Sequence, residues 1–445
     1  MPADPTTTPQ RLLPPDDALR TELHNEVHAR PPARIRTPAL VTFVAVLNRD
    51  VPRELELAHL RMLPGQQALS ASDVQANFLR LHLGGYTLKW ERHTEFTRYS
   101  VVSPLPESLG LTASNPDLGS AMGIDPAWLA AIPGSTVSAI QLAMLEHPLD
   151  DPPAALALGQ RWLGGQDALA ALLGQARTMV MSDFRLRKDG FERMLVLAPE
   201  GITPARVGRV SQRLLELEVY RLMALRGLPV TKSLSPMLLR AESGLAEIIG
   251  QLETRADTEQ ALLDTLIHLA ARVERATAEH MYRFSASQAY AELVRQRIND
   301  LREQAIPGTQ TPGDFIQRRL SPAMATVAST AQRLASLSQR IERTSALLRT
   351  RVDIATEAQN QELLARLTRG QQLQLNLQTT VEGLSIAAIS YYVVSLLLYG
   401  AKALKGAGLA IQPEMTAGAL IPLVLWGVWR ATRRVHDRLH REQGL

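Results

Sequence analysis

Cysteine is absent from the 445 residues, which excludes disulfide staples, zinc thiolates and thiol nucleophiles together. Aromatic residues make up only 4%, while Ala, Leu and Arg are plentiful, a bias that favours long helices. The net charge of +4 is too small a surplus for a nucleic-acid partner to be expected. Residues 1–10 are rich in Pro and Thr and hold no apolar run, so no secretory signal peptide is expected there. Also missing are a phosphate-cradling Gly-rich loop, a nucleophile elbow and a paired-carboxylate motif of diagnostic spacing. An enzyme is therefore the less favoured class. What remains is ordinary for a folded chain, with 45% hydrophobic and 21% charged residues.

Two long apolar runs stand near the C-terminus. Residues 383–401 read GLSIAAISYYVVSLLLYGA without a charge, nearly enough at about 1.5 Å per residue to cross a hydrocarbon core of about 30 Å. The second run, 415–430, is shorter and interrupted by Pro422, with Trp426 and Trp429 suited to a headgroup belt and Arg430 able to snorkel. Arg366 and Arg369 precede the first run, and Arg430, Arg433, Arg434, Arg438 and Arg441 follow the second. By the positive-inside rule both termini are expected in the cytoplasm and only the connecting loop outside, although that loop carries Lys402 and Lys405. The expected partner is membrane lipid, and the basic tail 431–445 lies along it.

Residues 1–20 are expected to be disordered and 21–200 to form an α+β or α/β domain. Strand patterns occur at 39–47, 86–92, 95–102, 136–145, 177–184 and 191–197, and helix patterns at 72–83 and 153–163. The pattern over 201–382 is helical. Thr203 is a candidate N-cap with Pro204 behind it, and Gly227 and Pro229 form a candidate stop. Further helices are expected over about 257–304 and from about 322 into the membrane. Leu334, Ile341 and Leu348 recur every seven residues, which suits either a coiled-coil stalk or packing on the chain's own helices.

Two polar clusters are candidate ligand sites. In 22–32, Glu22, His24, Glu26 and His28 alternate, so an extended strand would place them on one face, ahead of Arg30 and Pro31-Pro32. Imidazole and carboxylate suit zinc, iron or manganese, but Glu does not directly follow the first His as the zincin pattern demands. A metal site, an anion or partner site using Arg30, and a structural turn all remain open. The second cluster, 90–96, holds His93 and Glu95. No cofactor is implied by either.

In the first apolar run Ser385, Ala388, Tyr392, Ser395, Tyr399 and Lys402 follow steps of three and four. They draw a small and polar stripe on one helix face, suited to helix packing or to a pore lining with Tyr399-Gly400 at its mouth.

The segments HNEVHARPP (24–32), WERHTEFTRY (90–99), GRVSQRLLELEVYRLMALRGLP (208–229) and VEGLSIAAISYYVV (381–394) together resemble a family of uncharacterised bacterial membrane-anchored proteins, a domain of unknown function. That resemblance implies the two C-terminal spans and a bacterial origin, and supplies no activity. A looser similarity of layout joins the chain to the CorA-type divalent cation channels, whose first span ends in Tyr-Gly-Met-Asn. Tyr399-Gly400 match, but Ala401 and Lys402 stand in place of Met and Asn. A lysine ring would repel cations. The reading is a homo-oligomeric inner-membrane protein acting as a channel or transporter of an unidentified inorganic ion. The alternatives are an anchored ligand- or protein-binding module and, third, a metal-dependent enzyme.

Overall fold

A run of nine apolar or β-branched residues becomes the middle of the sheet. In the computed structural model β1 (Ala39–Leu47) is buried along almost its whole length, as a strand covered on both faces must be. The structure describes residues 13–21, 23–24, 33–165, 167–254, 258–407 and 412–442, the last eight by backbone only. Around β1 lie β2 (Phe78–Leu83), β3 (Tyr86–Arg92), β4 (Phe96–Pro104), β5 (Ser135–Glu146), β6 (Leu169–Leu173), β7 (Thr178–Ser182), β8 (Glu192–Ala198) and β9 (Gln304–Ala305). Their order is β2-β3-β4-β1-β5-β8-β7-β6-β9. Only the β5–β8 pair is parallel, so the mixed sheet is mainly antiparallel and the domain falls on the α+β side.

One face of the sheet packs under α1 (Arg53–Arg61), α2 (Pro126–Ala130) and α3 (Pro152–Trp162), with Leu60, Trp90, Tyr99, Trp128 and Trp162 at its centre. The other face carries α4 (Pro204–Leu225), which lays Val207, Leu214, Leu217 and Met223 on Val41, Phe43 and Val196. Next come α5 (Gly227–Thr254), α6 (Glu259–Leu301), α7 (Pro312–Gly406) and α8 (Pro413–Glu442).

Two compact units result. The first holds residues up to Ala256 and Asp264–Thr344, and the second Asp257–Leu263 and Ser345–Leu445. In the first unit α5, α6 and α7 bury Leu238 and Leu245, Leu269 and Val273, and Val327, Leu334, Leu337 and Ile341. Arg333 of α7 reaches Glu242 of α5 at 2.8 Å. Leu334 and Ile341 are thus covered within the chain itself. In the second unit α7 includes an apolar stretch long enough to cross a membrane, only 6% buried. It is the only such helix among the described residues. The second run, now part of α8, is cut short by Glu414 and Arg430 on either side.

One expectation needs correction. The helix expected over 72–83 is a set of turns leading into β2, whose Phe78-Leu-Arg-Leu-His-Leu alternation wins once β3 is there to pair with. The stop expected at Gly227 and Pro229 is where α4 ends, at Leu225, and α5 begins at Gly227 with Pro229 in its first turn, where no amide bond is lost. Thr203 does precede α4 with Pro204 in its first turn, but makes no side-chain cap.

Gly208 decides how closely α4 approaches. A methyl group there would sit 1.6 Å from the Ala33 carbonyl oxygen, which is backbone and cannot swing aside. The neighbouring Ile35 amide is pinned to the Pro204 carbonyl at 3.0 Å. Gly208→Ala is expected to destabilise the first unit by about 2–3 kcal/mol, the upper range for overpacking. An unchanged urea midpoint would contradict this contact.

Candidate functional site

The residues that stand out chemically are ions that water does not reach. In β3, Lys89 and Glu91 are two apart and share the face toward α4. The antiparallel register places Arg98 of β4 opposite Glu91. The Glu91 carboxylate accepts from Arg98 Nε and lies 3.1 Å from Lys89 Nζ. The far side of Arg98 reaches Glu216 of α4 at 3.2 Å. Glu216 also takes 2.8 Å from the Gln212 amide and 2.7 Å from Arg297 of α6. Arg297 continues to Asp300 at 3.1 Å. Glu91, Arg98 and Glu216 are each at most 4% exposed.

The electrostatics follow from that enclosure. Burial alone would raise the Glu91 carboxyl, but the charges and hydrogen bonds of Arg98 and Lys89 outweigh it and hold it at about 2. Glu216 goes the same way, burial being overcome by Arg98, Gln212 and Arg297. For Lys89 burial prevails and its ammonium is easier to deprotonate than usual.

The opposite side of α4 holds a different arrangement. Glu218, two residues after Glu216, points toward β8 and meets Glu192. Glu218 is fully buried and accepts two hydrogen bonds from Arg221, that from Nε at 2.8 Å. Burial and the Glu218 charge push the Glu192 carboxyl up to about 8, so near neutrality it keeps its proton and donates to Glu218. One half-buried arginine thus serves two carboxyl groups with a single negative charge between them.

On the other face of the sheet His59 is stacked on Trp128 at 4.1 Å. Burial lowers its imidazole to about 4. Beneath it Glu56, fully enclosed, binds Arg92 at 2.7 Å and the Thr97 hydroxyl at 2.6 Å.

The clusters expected from sequence divide as follows. His24 is exposed at the start of the chain, while Glu26, His28 and Arg30 lie outside the described residues. His93 and Glu95 are at the β3–β4 tip. His93 stacks on Phe96 at 4.6 Å, and both Glu95 oxygens are taken by Arg283 of α6 at 2.7 and 3.0 Å. A carboxylate clamped in that way closes the hairpin on α6 and is not offered to a ligand. Among the described residues no three His, Asp or Glu side chains gather as metal ligands. Ser385, Tyr392, Tyr399, Gly400 and Lys402 are exposed along α7, and Ser395 is half-buried.

Sequence reasoning missed Arg98, Glu216, Glu192 and Glu218. The Glu91–Arg98 pair was within reach, since a hairpin turning at 93–95 sets those two residues opposite each other on one face. Glu192 and Glu218 come from separate elements, and no local pattern joins them.

Two of the four segments that carry the family resemblance, 90–99 and 208–229, meet in this network. The family described as "Protein of unknown function (DUF3422)" matches residues 15–439, and the chain belongs to it. No curated protein matches the chain.

Proposed function

We propose that the chain is a homo-oligomeric protein of the bacterial inner membrane, spanning it twice, with the sheet domain in the cytoplasm and the polar stripe of α7 lining an ion path between copies. The observation that carries this reading is where the stripe lies. Within the second unit Ser390 of α7 and Ala417 of α8 are buried, at 4% and 7% exposure. Small residues at such positions suit close helix packing in lipid. Ile386, Val393 and Val394, half-buried, flank Ser390. At about 100° per residue, Ser385, Ala388, Tyr392, Ser395, Tyr399 and Lys402 lie roughly 120–180° around the helix from Ser390. The surface that α7 leaves exposed thus includes most of this polar stripe, beside Leu384 and Leu396, and hydroxyls turned toward lipid tails call for another helix or a water path.

The ends of the helices carry interfacial anchors. Lys402 lies over Tyr399 at 6.0 Å, Arg430 over Trp426 at 5.3 Å and Arg433 over Trp429 at 5.0 Å. Such pairs suit the headgroup region. With Lys402 at the mouth, the path would favour anions over the divalent cations of the CorA-type channels.

The test is the mass of the full-length protein in mild detergent, followed by flux in liposomes. A closed ring of about four to six copies is expected. Ser395→Leu with Tyr392→Leu should abolish flux and leave the mass unchanged. A monomer or dimer would sink the proposal. An oligomer whose double variant keeps full flux would leave the stripe as packing alone and remove the pore.

A further inference from the structure

A cleft of about 580 Å³ opens beside the β3–β4 tip, within the first unit. Its size falls in the range of small-molecule sites, about 300–1,000 Å³. Three cationic or amide side chains, Arg53, Asn77 and Arg92, line one part of it together with Thr94, and Tyr290 and Leu293 of α6 line another. No carboxylate is among its lining residues.

The acceptors around this cleft are already occupied by the protein. Asn77 has a left-handed backbone, φ 55°, and its Oδ1 accepts from Arg53 at 2.7 Å. The Asn77 carbonyl accepts from the Arg92 amide at 3.0 Å. The Val51 carbonyl takes one Arg92 nitrogen at 2.9 Å, and Glu56 takes the other at 2.7 Å. Glu95 is held by Arg283. Donors are left over. Among the described residues Arg53 pairs with no carboxylate and is oriented only by a neutral amide. The Asn77 NH₂ group and the Thr94 hydroxyl add further donors beside it. Beside the hydroxyls of Thr94, Tyr220 and Tyr290 and the His93 ring, which can donate or accept, this wall has positive charge and donors and no carboxylate, which suits an acceptor-rich anion.

We infer that this cleft binds a small organic phosphate, its phosphate on the Arg53–Asn77–Thr94 wall and its apolar or ring body against Tyr290 and Leu293. The inference is independent of the ion path, since every residue it uses belongs to the sheet domain and its helices.

The experiment is calorimetric titration of the full-length protein in detergent with AMP, inorganic phosphate, adenosine and a short-chain phosphatidate. AMP is expected to bind more tightly than either phosphate or adenosine alone. Arg53→Gln should weaken it by at least about tenfold, as loss of a charge-assisted contact does. Thr94→Val, at an exposed position, should weaken it about three- to tenfold with no change in the unfolding midpoint. Phosphatidate binding more tightly than AMP, with the same dependence on Arg53, would identify a lipid headgroup as the source of the phosphate and keep the site. Absence of binding by all four probes would overturn the inference, as would affinities that Arg53→Gln and Thr94→Val both leave unchanged.

Discussion

Replacing Arg98 by Met is expected to cost about 3–5 kcal/mol of stability, the range for breaking a buried ion pair from one side. The size comes from what is left behind. Arg98 is the one cation that touches both Glu91 and Glu216, and those carboxylates are 1% and 5% exposed at the side chain. With the guanidinium gone, Glu91 retains Lys89 and Glu216 retains Arg297, but two negative charges then face each other with only a thioether between them. Both carboxyls would move up from their lowered values toward protonation. The domain would therefore be weakened most at neutral pH and least in acid, where the protons are supplied. Urea unfolding of the full-length protein in detergent, read from the buried Trp90, Trp128 and Trp162, would measure it. The triple variant with Glu91→Gln and Glu216→Gln should recover much of the loss, because neutral amides need no counter-charge. A single variant that costs less than about 1 kcal/mol would mean that water reaches these side chains.

Much of the framework was open to reading, and the reason is local pattern. β1, β3 and β4 are short runs of β-branched and apolar residues, and β3 and β4 border a tight polar tip, so their positions and pairing follow from period and turn chemistry. The long helix running into the apolar stretch follows from the absence of proline between Ala323 and Ile411. Helix α1 was not expected, because Arg53–Arg61 is short and starts without a capping side chain. In β2 the alternation over 78–83 was there to be read, and pairing with β3 settles the strand. The charge network was least legible of all. Glu91, Arg98, Glu216 and Glu218 look in sequence like solvated polar positions, and only the descent of α4 onto the sheet encloses them. Gly208, whose missing side chain lets α4 lie against the Ala33 carbonyl, carries no sign in the sequence that it differs from any other helical glycine.

The pair on the far side of α4 yields the second large effect, one that depends on pH. Glu192 keeps its proton up to about 8 in the folded protein, whereas an unfolded glutamate releases it near 4.3. Between those values the native state holds the extra proton, so unfolding releases one and stability falls as pH rises, by about 1.4 kcal/mol per pH unit. The contribution is fully present below the unfolded value and gone once pH has passed the folded one. His59 works against it at the acid end. Its imidazole is lowered to about 4 by burial and stays neutral while the unfolded ring, near 6.5, takes up a proton, so stability rises with pH across that interval. Glu91 and Glu216, both lowered, act only below the ordinary carboxylate range. Between about pH 6.5 and about pH 8, then, the downward slope belongs to Glu192. Glu192→Gln keeps the shape and supplies an amide that donates to Glu218 at every pH. It is expected to flatten that slope and to be more stable than the parent at about pH 8. If urea midpoints of the parent do not change across this interval, or if Glu192→Gln retains the full slope, the two carboxyl groups do not share a proton. In that case Arg221 must be neutralising both of them as separate charges.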